Sequence, residues 1–183
     1  VLILCILLNI SPLFLNQSNS FSMINVFFDP SIGITGGWEI STRNTVGATS
    51  SFYKSPHSKT FRQMFMEAAA ENKLDINKLD TQYCYSFVLQ HPENRIVVAF
   101  KEAQLYLISL YSIDNSDKNN ITVQNVDRTK FFELHPNTTV KTPAVYDWDK
   151  YSDLIDKYAS MNTSYDILGV VIHNSETCER IKI

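Results

Sequence analysis

Three short apolar runs in the middle of the chain constrain its fold more than any other feature. They are Cys84–Gln90, Arg95–Phe100 and Leu105–Ile113. The links between them, His91–Asn94 and Lys101–Gln104, are four residues each and mostly polar. Short polar links between apolar runs are typical of antiparallel neighbours. This part of the chain is therefore predicted to form an antiparallel meander.

Upstream of the meander, a hairpin is predicted. Met23–Phe28 is a β-rich run that ends at the turn signal Asp29-Pro30. The next stretch, Ser31–Gly37, contains three glycines and suits a hairpin loop. Residues then alternate along Trp38–Arg43, with one face formed by Trp38, Ile40 and Thr42 and the other by Glu39, Ser41 and Arg43. This alternation predicts a strand with one polar face.

Two helices and a closing hairpin complete the prediction. The first helix has one apolar stripe, with Ser58 as its predicted N-cap; the stripe comprises Phe61, Met64, Phe65, Ala68 and Ala69. The second is predicted within Pro143–Met161, where Trp148, Tyr151, Leu154, Ile155 and Tyr158 recur at helical spacing. Ile167–His173 and Glu179–Ile183 are predicted to form the final hairpin, and Asp114–Asn120 a solvated loop. Together these elements predict an α+β domain.

The first 21 residues differ in composition from the rest. No charged residue precedes Asp29, and Val1–Leu8 is apolar throughout. A membrane-spanning helix needs about 20 apolar residues, and Asn9 and Ser11 interrupt this run. A signal peptide normally begins with basic residues, which are missing here. We expect residues 1–21 to be an apolar leader of uncertain origin and residues 22–183 to be one partial domain, truncated at its final strand.

Cysteine and histidine spacing gives no support for a metal centre. The three cysteines (Cys5, Cys84 and Cys178) and the four histidines (His57, His91, His135 and His173) are scattered along the chain. An odd number of cysteines favours free thiols in a reducing, intracellular compartment. Five Asn-x-Ser/Thr sequons and the apolar start keep a secreted glycoprotein open as an alternative.

Candidate phosphate-binding groups are local, because the net charge is −3. Arg43 is predicted on the polar face of its strand. Arg180 and Lys182 are two residues apart and share a face of the last strand. Such cations line a polyphosphate cleft or keep an exposed edge strand soluble. Arg95 anchors a loop, pairs with Glu93 or faces a ligand, and spacing does not choose among these roles.

Five segments resemble the phage-type RNA ligases, which are covalent nucleotidyltransferases. Tyr85–Phe100 (YSFVLQHPENRIVVAF) and the following Gln104–Ile113 resemble the third motif of that family and its continuation. Gly36–Ala48 (GGWEISTRNTVGA) resembles the strand and turn after the active-site lysine. Ile167–His173 and Glu179–Ile183 resemble the fourth and fifth motifs, whose closing Lys-x-Lys reads here Arg180-Ile181-Lys182.

The resemblance implies a nucleotidyltransferase domain of antiparallel sheets flanked by helices, acting in ATP-dependent ligation of RNA ends. In such enzymes a lysine takes AMP from ATP, AMP passes to an RNA 5′-phosphate, and a 3′-hydroxyl displaces it, with Mg²⁺ assisting. Nucleotide binding would then involve Arg43, Arg95, Phe100, Arg180 and Lys182. Phe100 would stack on adenine or pack in the core. A monomeric, intracellular protein of viral or phage type that does not enter membranes is expected.

Departures from the family pattern fall at the residues that carry chemistry. Where the family has its Lys-x-(Asp/Glu)-Gly motif, this chain has Ser18–Ser22, and its first lysine is Lys54. Ser86 and Leu168 stand where the third and fourth motifs offer glutamates; Asp166 is a candidate to replace one of them as a metal ligand. The chain itself is therefore predicted to be inactive in adenylation, and a domain that binds nucleotide or RNA ends without covalent chemistry is the alternative.

Overall fold

The structure is a computed structural model that describes residues 2–8, 22–52, 55, 57–94, 100–117, 119–147, 149–161, 167–174 and 180–183. The chain divides into two compact units. The larger comprises the described residues within Phe21–Arg95 and Ala99–Thr142, and the smaller those within Val1–Ser20 and Pro143–Ile183. That residues 1–21 are a leader and residues 22–183 one domain stays a prediction, since neither expectation is tested.

The described residues form nine strands and three α-helices, which confirms the α+β class. The strands are β1 (Leu2–Leu8), β2 (Ser22–Asp29), β3 (Gly37–Thr42), β4 (Tyr83–Gln90), β5 (Gln104–Asp114), β6 (Thr122–Val126), β7 (Ala144–Tyr146), β8 (Ile167–Asn174) and β9 (Arg180–Lys182). The helices are α1 (Phe61–Glu71), α2 (Thr129–Leu134) and α3 (Tyr151–Tyr158), and Ile76–Lys78 forms a short 3₁₀ helix.

The larger unit is built on an antiparallel sheet of five described strands in the order β3-β2-β4-β5-β6. The predicted β2–β3 hairpin is confirmed. The predicted meander is wrong, because β4 pairs directly and antiparallel with β5, whereas in a meander the run between them would separate these two strands. The strand predicted between them lies in residues 95–99, outside the described residues. Phe100, which follows them, is half-buried and lies outside any strand.

A β-bulge in β5 changes which side chains face the core. Leu107 pairs with Phe87, but Ser109 pairs with the neighbouring Ser86, so Ile108 is the extra residue. A bulge of one residue shifts the inward–outward alternation. As a result Leu105, Leu107 and Leu110 are all buried on one face, while Ser109 faces the other side.

Helix α1 begins at a capping box. The hydroxyl of Thr60 accepts a bond from the backbone N–H of Gln63 (3.2 Å), and the Gln63 side chain accepts one from the N–H of Thr60 (2.8 Å). The predicted cap Ser58 is therefore wrong, because the Thr-x-x-Gln spacing satisfies both donors reciprocally. The N–H groups of the first two helical residues donate to the carbonyls of Ser50 and Ala48, 2.9 Å away in each case.

The core of the larger unit lies between one face of the sheet and helices α1 and α2. The predicted apolar stripe of α1 is confirmed, since Met64, Phe65, Ala68 and Ala69 are buried. Rings stack in its centre, where the Phe65 and Phe87 centroids are 5.7 Å apart and those of Tyr85 and Phe87 are 6.3 Å apart. Burial raises the pKa of Tyr85 to about 12, and its hydroxyl still donates to the carbonyl of Asp80 at 3.2 Å. The sheet is thus held by a large aromatic cluster.

One buried polar residue, Asn72, joins three segments on the core side. Its side-chain amide donates to the carbonyls of Ala68 (2.9 Å) and Ala103 (3.0 Å). Its side-chain oxygen accepts from Gln104 and from the backbone N–H of Leu105, the latter at 3.2 Å. Its own carbonyl accepts from the hydroxyl of Thr138 at 2.8 Å. Asn72 therefore fixes the end of α1 to the start of β5 and to the loop before β7.

The smaller unit contains a second antiparallel sheet, in the order β7-β1-β8-β9. The predicted final hairpin is confirmed, because β8 and β9 pair antiparallel. The expected leader supplies β1, which pairs with both β7 and β8. Helix α3 places Leu154 and Tyr158 against Val170 and Ile172 of β8.

The helix predicted within Pro143–Met161 is shorter than expected. It covers Tyr151–Tyr158, because the residues just after Pro143 pair with β1 as strand β7. Trp148 lies outside the described residues. Sequence patterns also missed β6 and α2: every residue of β6 before Val126 is exposed, and α2 has only six residues. Neither element offers the apolar periodicity that makes prediction possible.

Candidate functional site

A row of four polar side chains crosses the face of the five-stranded sheet that lies opposite α1. In register across β3, β2, β4 and β5 it comprises Ser41, Asn25, Ser86 and Ser109, and we call it the polar row. The Ser86 hydroxyl donates to the side-chain oxygen of Asn25 at 2.6 Å. The bulge in β5 is what brings Ser109 opposite Ser86. Three of the four lie in segments that carry the resemblance to RNA ligases.

Two members of the polar row are buried, and buried polar groups require hydrogen-bond partners. Ser86 and Ser109 are each 4% exposed. Gln90, two positions beyond Val88 on the same face of β4, is also buried, and its amide nitrogen has no hydrogen-bond partner among the described residues. An unpaired buried donor costs about 1–3 kcal/mol. The face thus carries hydroxyl and amide groups, of which those of Asn25 and Ser41 are half-buried and those of Ser86, Ser109 and Gln90 are buried.

A second polar cluster, formed by Lys59, Glu67, His91 and Glu93, fixes the turn after β4. The buried His91 accepts a bond at Nδ1 from the backbone N–H of Glu93 (3.1 Å), so its proton lies on Nε2. Nε2 then donates to the Glu67 carboxylate at 3.0 Å. Lys59 bridges the two glutamates, 2.8 Å from Glu67 and 2.7 Å from Glu93. We call these four residues the Glu67 cluster.

Ion pairing in the Glu67 cluster shifts the pKa values of its members. The bond from Lys59, and then that from His91, lowers the pKa of Glu67. Glu67 and then Glu93 raise the pKa of Lys59. The side chains of Glu67 and Glu93 are 43% and 47% exposed, so solvent screens the pairs and their effect on stability is small. The cluster therefore positions the His91–Asn94 turn, and Asn94 further donates to the hydroxyl of Ser22 at 2.8 Å.

The predicted position of Arg43 on a strand face is wrong. Strand β3 ends at Thr42, whose hydroxyl accepts from the backbone N–H groups of Asn44 (3.3 Å) and Thr45 (3.1 Å) and so holds a tight bend. Arg43 is exposed in this bend. Within β3, Glu39 pairs with Arg62 of α1 at 2.7 Å. The backbone N–H of Ile40 and then Arg62 lower the pKa of Glu39.

The remaining predicted site residues are placed only in part. Arg180 and Lys182 occupy alternate positions of β9, in register with His173 and Val171, as the two-residue spacing predicts. Arg95 and Asp166 lie outside the described residues. Their roles, and the stacking role of Phe100, stay predictions. The structure brings Arg180 and Lys182 together on one strand, while Arg43 and Phe100 belong to the other unit.

Among the residues that the structure describes, no group of three or more His, Cys, Asp or Glu side chains is placed to hold a metal ion. Among the described carboxylates, Glu67 and Glu93 pair with Lys59, and Glu39 pairs with Arg62. No described helix has the length and apolar character needed to cross a bilayer.

Sequence reasoning missed the polar row, although a signal for it exists. Asn25 stands between Ile24 and Val26, and Ser86 between Tyr85 and Phe87. A single small polar residue within an apolar strand marks the face opposite the core. The alignment of these residues into one row depends on strand order and on the bulge, which the sequence pattern does not supply.

Comparison with known proteins gives a partial likeness. No protein family model matches the chain. Over 86 residues the chain is 35% identical to an RNA ligase of Rhodothermus phage RM378. The matching stretch is 43% of this chain and 19% of the phage protein. The chain is therefore similar in part to an RNA ligase and spans about a fifth of that relative's length.

Proposed function

We propose that this chain is part of an RNA-ligase-like nucleotidyltransferase that binds ATP and the ends of RNA. The observation that carries the proposal is the 35% identity to a phage RNA ligase. The α+β architecture is compatible with it, and the polar row gives the proposal a specific location. Ser86 of the row stands where the family resemblance expects a carboxylate of the third motif.

In this proposal the polar row binds the nucleoside part of the nucleotide. Hydroxyl and amide groups such as those of Ser86, Asn25 and Gln90 both donate and accept hydrogen bonds, as ribose hydroxyls and base edges do. They lie on strands, and side chains on strands are held more rigidly than those on loops. The Glu67 cluster supports the arrangement indirectly, because it fixes the turn that leaves β4.

Phosphate binding is assigned to the cations. Within the larger unit, Arg43 in its exposed bend is proposed as a phosphate contact. Arg180 and Lys182, at alternate positions of β9, are proposed as phosphate contacts by resemblance. Arg95 and Phe100 are proposed as further nucleotide contacts by resemblance. Mg²⁺, with Asp166 as a ligand, also stays a proposal by resemblance; when bound, such an ion stabilises phosphoryl charge.

We further propose that this chain does not form the covalent lysyl-AMP intermediate. Its first lysine, Lys54, follows both β2 and β3, whereas the family's nucleophile precedes the strand that aligns with β2. Incubation with α-³²P-labelled ATP, followed by a denaturing gel, should therefore leave the chain unlabelled. A labelled band at the mass of the chain, 21.0 kDa, would contradict this part of the proposal.

Nucleotide binding is tested by calorimetry with ATP. Changing both Arg180 and Lys182 to Ala should weaken ATP binding about tenfold or more, since a hydrogen bond to a charged group contributes about 1.5–3 kcal/mol. The matched control changes Lys78 and Lys130, both exposed, to Ala and removes the same charge. Equal affinity in the two double variants would reject the phosphate-binding role.

The polar row has its own test. Ser86→Ala should weaken ATP binding about threefold to tenfold, because it removes one neutral hydrogen-bonding group. Ser112→Ala, on the opposite face of β5, is the matched control and should bind as the unchanged chain does. If wild-type protein binds neither ATP nor a 5′-phosphorylated RNA in fluorescence anisotropy, the proposed function is wrong.

A further inference from the structure

The two edges of the five-stranded sheet differ in how they are covered. At the β3 edge the chain folds back on itself: Val46 bridges to Ser41, and the N–H of Gly47 donates to the carbonyl of Ile40 at 2.7 Å. At the β6 edge none of the described residues pairs with the outer side of the strand. Every second residue of such an edge directs its N–H and C=O away from the sheet.

Strand β6 also lacks the features by which edge strands usually avoid pairing. Its sequence, TVQNV, contains no charged residue and no proline, and its pairing with β5 is regular. Apolar side chains near it are exposed, with Val123 at 60%, Ile121 at 59% and Ile113 at 48%. An edge of this kind binds another extended strand.

The charges that flank β6 indicate which strand fits. The end of β5 and the loop before β6 contain Asp114, Asp117 and Lys118 in sequence, two acids against one base. The residues after it carry Asp127, Arg128 and Lys130, one acid against two bases. In an antiparallel pair of two identical β6 strands, the net negative loop of each copy lies beside the net positive end of the other. The uncharged strands meet between them without like-charge repulsion.

We propose that β6 pairs with β6 of a second copy of this chain, joining two sheets across a two-fold axis. Isologous pairing of this kind is self-complementary and closed. With the axis at Gln124, the middle residue of β6, Val123 faces Asn125 of the second copy and Gln124 faces its own counterpart. This inference does not rest on the proposed function, since it uses the edge of the sheet and not the polar row.

The test is the mass of the protein in sedimentation equilibrium over a range of concentrations. The unchanged chain should dimerise reversibly. Gln124→Lys should weaken dimerisation about fivefold or more, because two lysines then lie opposite each other across the axis. Gln124→Glu should weaken it to a similar extent. Gln82→Lys, in the turn before β4, is the matched control and should dimerise like the unchanged chain.

Mixing the two weakened variants makes the test specific. Gln124→Lys and Gln124→Glu together should form a heterodimer at least as readily as the unchanged chain forms its dimer, which a variant that merely failed to fold would not do. A chain that stays monomeric at its highest soluble concentration overturns the proposal and leaves the edge to a strand of another protein. A dimer that neither variant weakens, or a mixture that stays monomeric, overturns it as well.

Discussion

The two faces of the five-stranded sheet are built from different side chains, although they belong to the same strands. The face toward α1 carries buried aromatic and aliphatic groups such as Phe87 and Leu107. The opposite face carries the polar row at the same level of the sheet, with Ser86 beside Phe87 in sequence. Burial alone does not separate them, since Ser86 and Phe87 are both almost inaccessible.

The difference shows that burial has two uses in this unit. Apolar burial on the core face stabilises the fold in proportion to the area removed from water. Polar burial contributes little net stability and requires hydrogen-bond partners. A sheet with both faces dedicated to stability would place apolar residues on both, so the polar row is the part of the sheet that a function has to explain.

The largest expected effect tests the core face. Phe87→Ala should lower the free energy of unfolding by about 3–5 kcal/mol, because it opens a cavity among the rings of Phe65, Tyr85 and Phe131. Ser86→Ala, one residue away on the other face, should cost about 0.5–1.5 kcal/mol. Urea denaturation followed by circular dichroism measures both. Equal losses would erase the distinction between the faces.

The next effect concerns Asn72, the polar exception on the core side. Asn72→Ala should cost about 2–3 kcal/mol, since it leaves the carbonyl of Ala103 and the N–H of Leu105 without their partner. Asn72→Asp is the informative control: it keeps the acceptor for Leu105 but removes the donor to Ala68 and Ala103. A loss of less than about 0.5 kcal/mol in the free energy of unfolding of Asn72→Ala would show that the hydrogen bonds of Asn72 contribute little to stability.

The smallest effect is a pH dependence at the border of the core. Burial lowers the pKa of His135, whose ring packs on Phe131 at 4.9 Å between centroids. The unfolded chain, with an ordinary histidine pKa of about 6.5, therefore takes up a proton before the folded protein does. Stability should be unaffected by His135 above that pKa and should fall as the pH drops below it.

The measurement is the difference between the unchanged chain and His135→Gln in urea denaturation from neutral to mildly acidic pH. The substitution removes the titrating group, so the free energy of unfolding should decline less just below neutral pH. Carboxylates such as Glu67 and Glu39 have lowered pKa values, so the stability that they contribute is lost only at lower pH. That loss is the same in both proteins. Parallel curves for the two proteins would contradict the prediction.

The parts of the fold that could be predicted from sequence are those with a strong periodicity of apolar residues. The α1 stripe and the β2–β3 hairpin were predictable because strong apolar patterns met clear turn signals. The cap of α1 is readable as Thr60-x-x-Gln63, whereas Ser58 meets only the general preference for serine at an N-cap. Alternation continues through Arg43 and so predicts it on a strand face, but β3 ends at Thr42, whose hydroxyl accepts from the N–H of Thr45.

The candidate site was less predictable, because its geometry depends on contacts between distant segments. The two-residue spacing of Arg180 and Lys182 predicts that they occupy alternate positions of one strand. Nothing local indicates that Asn25 and Ser86, 61 residues apart, are bonded, or that Glu67 binds His91. The similarity to a phage RNA ligase covers 43% of the chain and gives no information about such contacts between distant residues.

The sequence by itself determined the class of fold, the strands and helices with strong periodicity, and the absence of a lysine before Lys54. These follow from side-chain type and spacing, which act within a few residues. Only the tertiary structure decided that a bulge at Ile108 brings Ser109 opposite Ser86 and that Asn72 joins three segments. It also decided that, among the residues it describes, the outer edge of β3 is covered while that of β6 is not. Those features arise from strand order and register, which are set by the packing of the whole unit and not by any one segment.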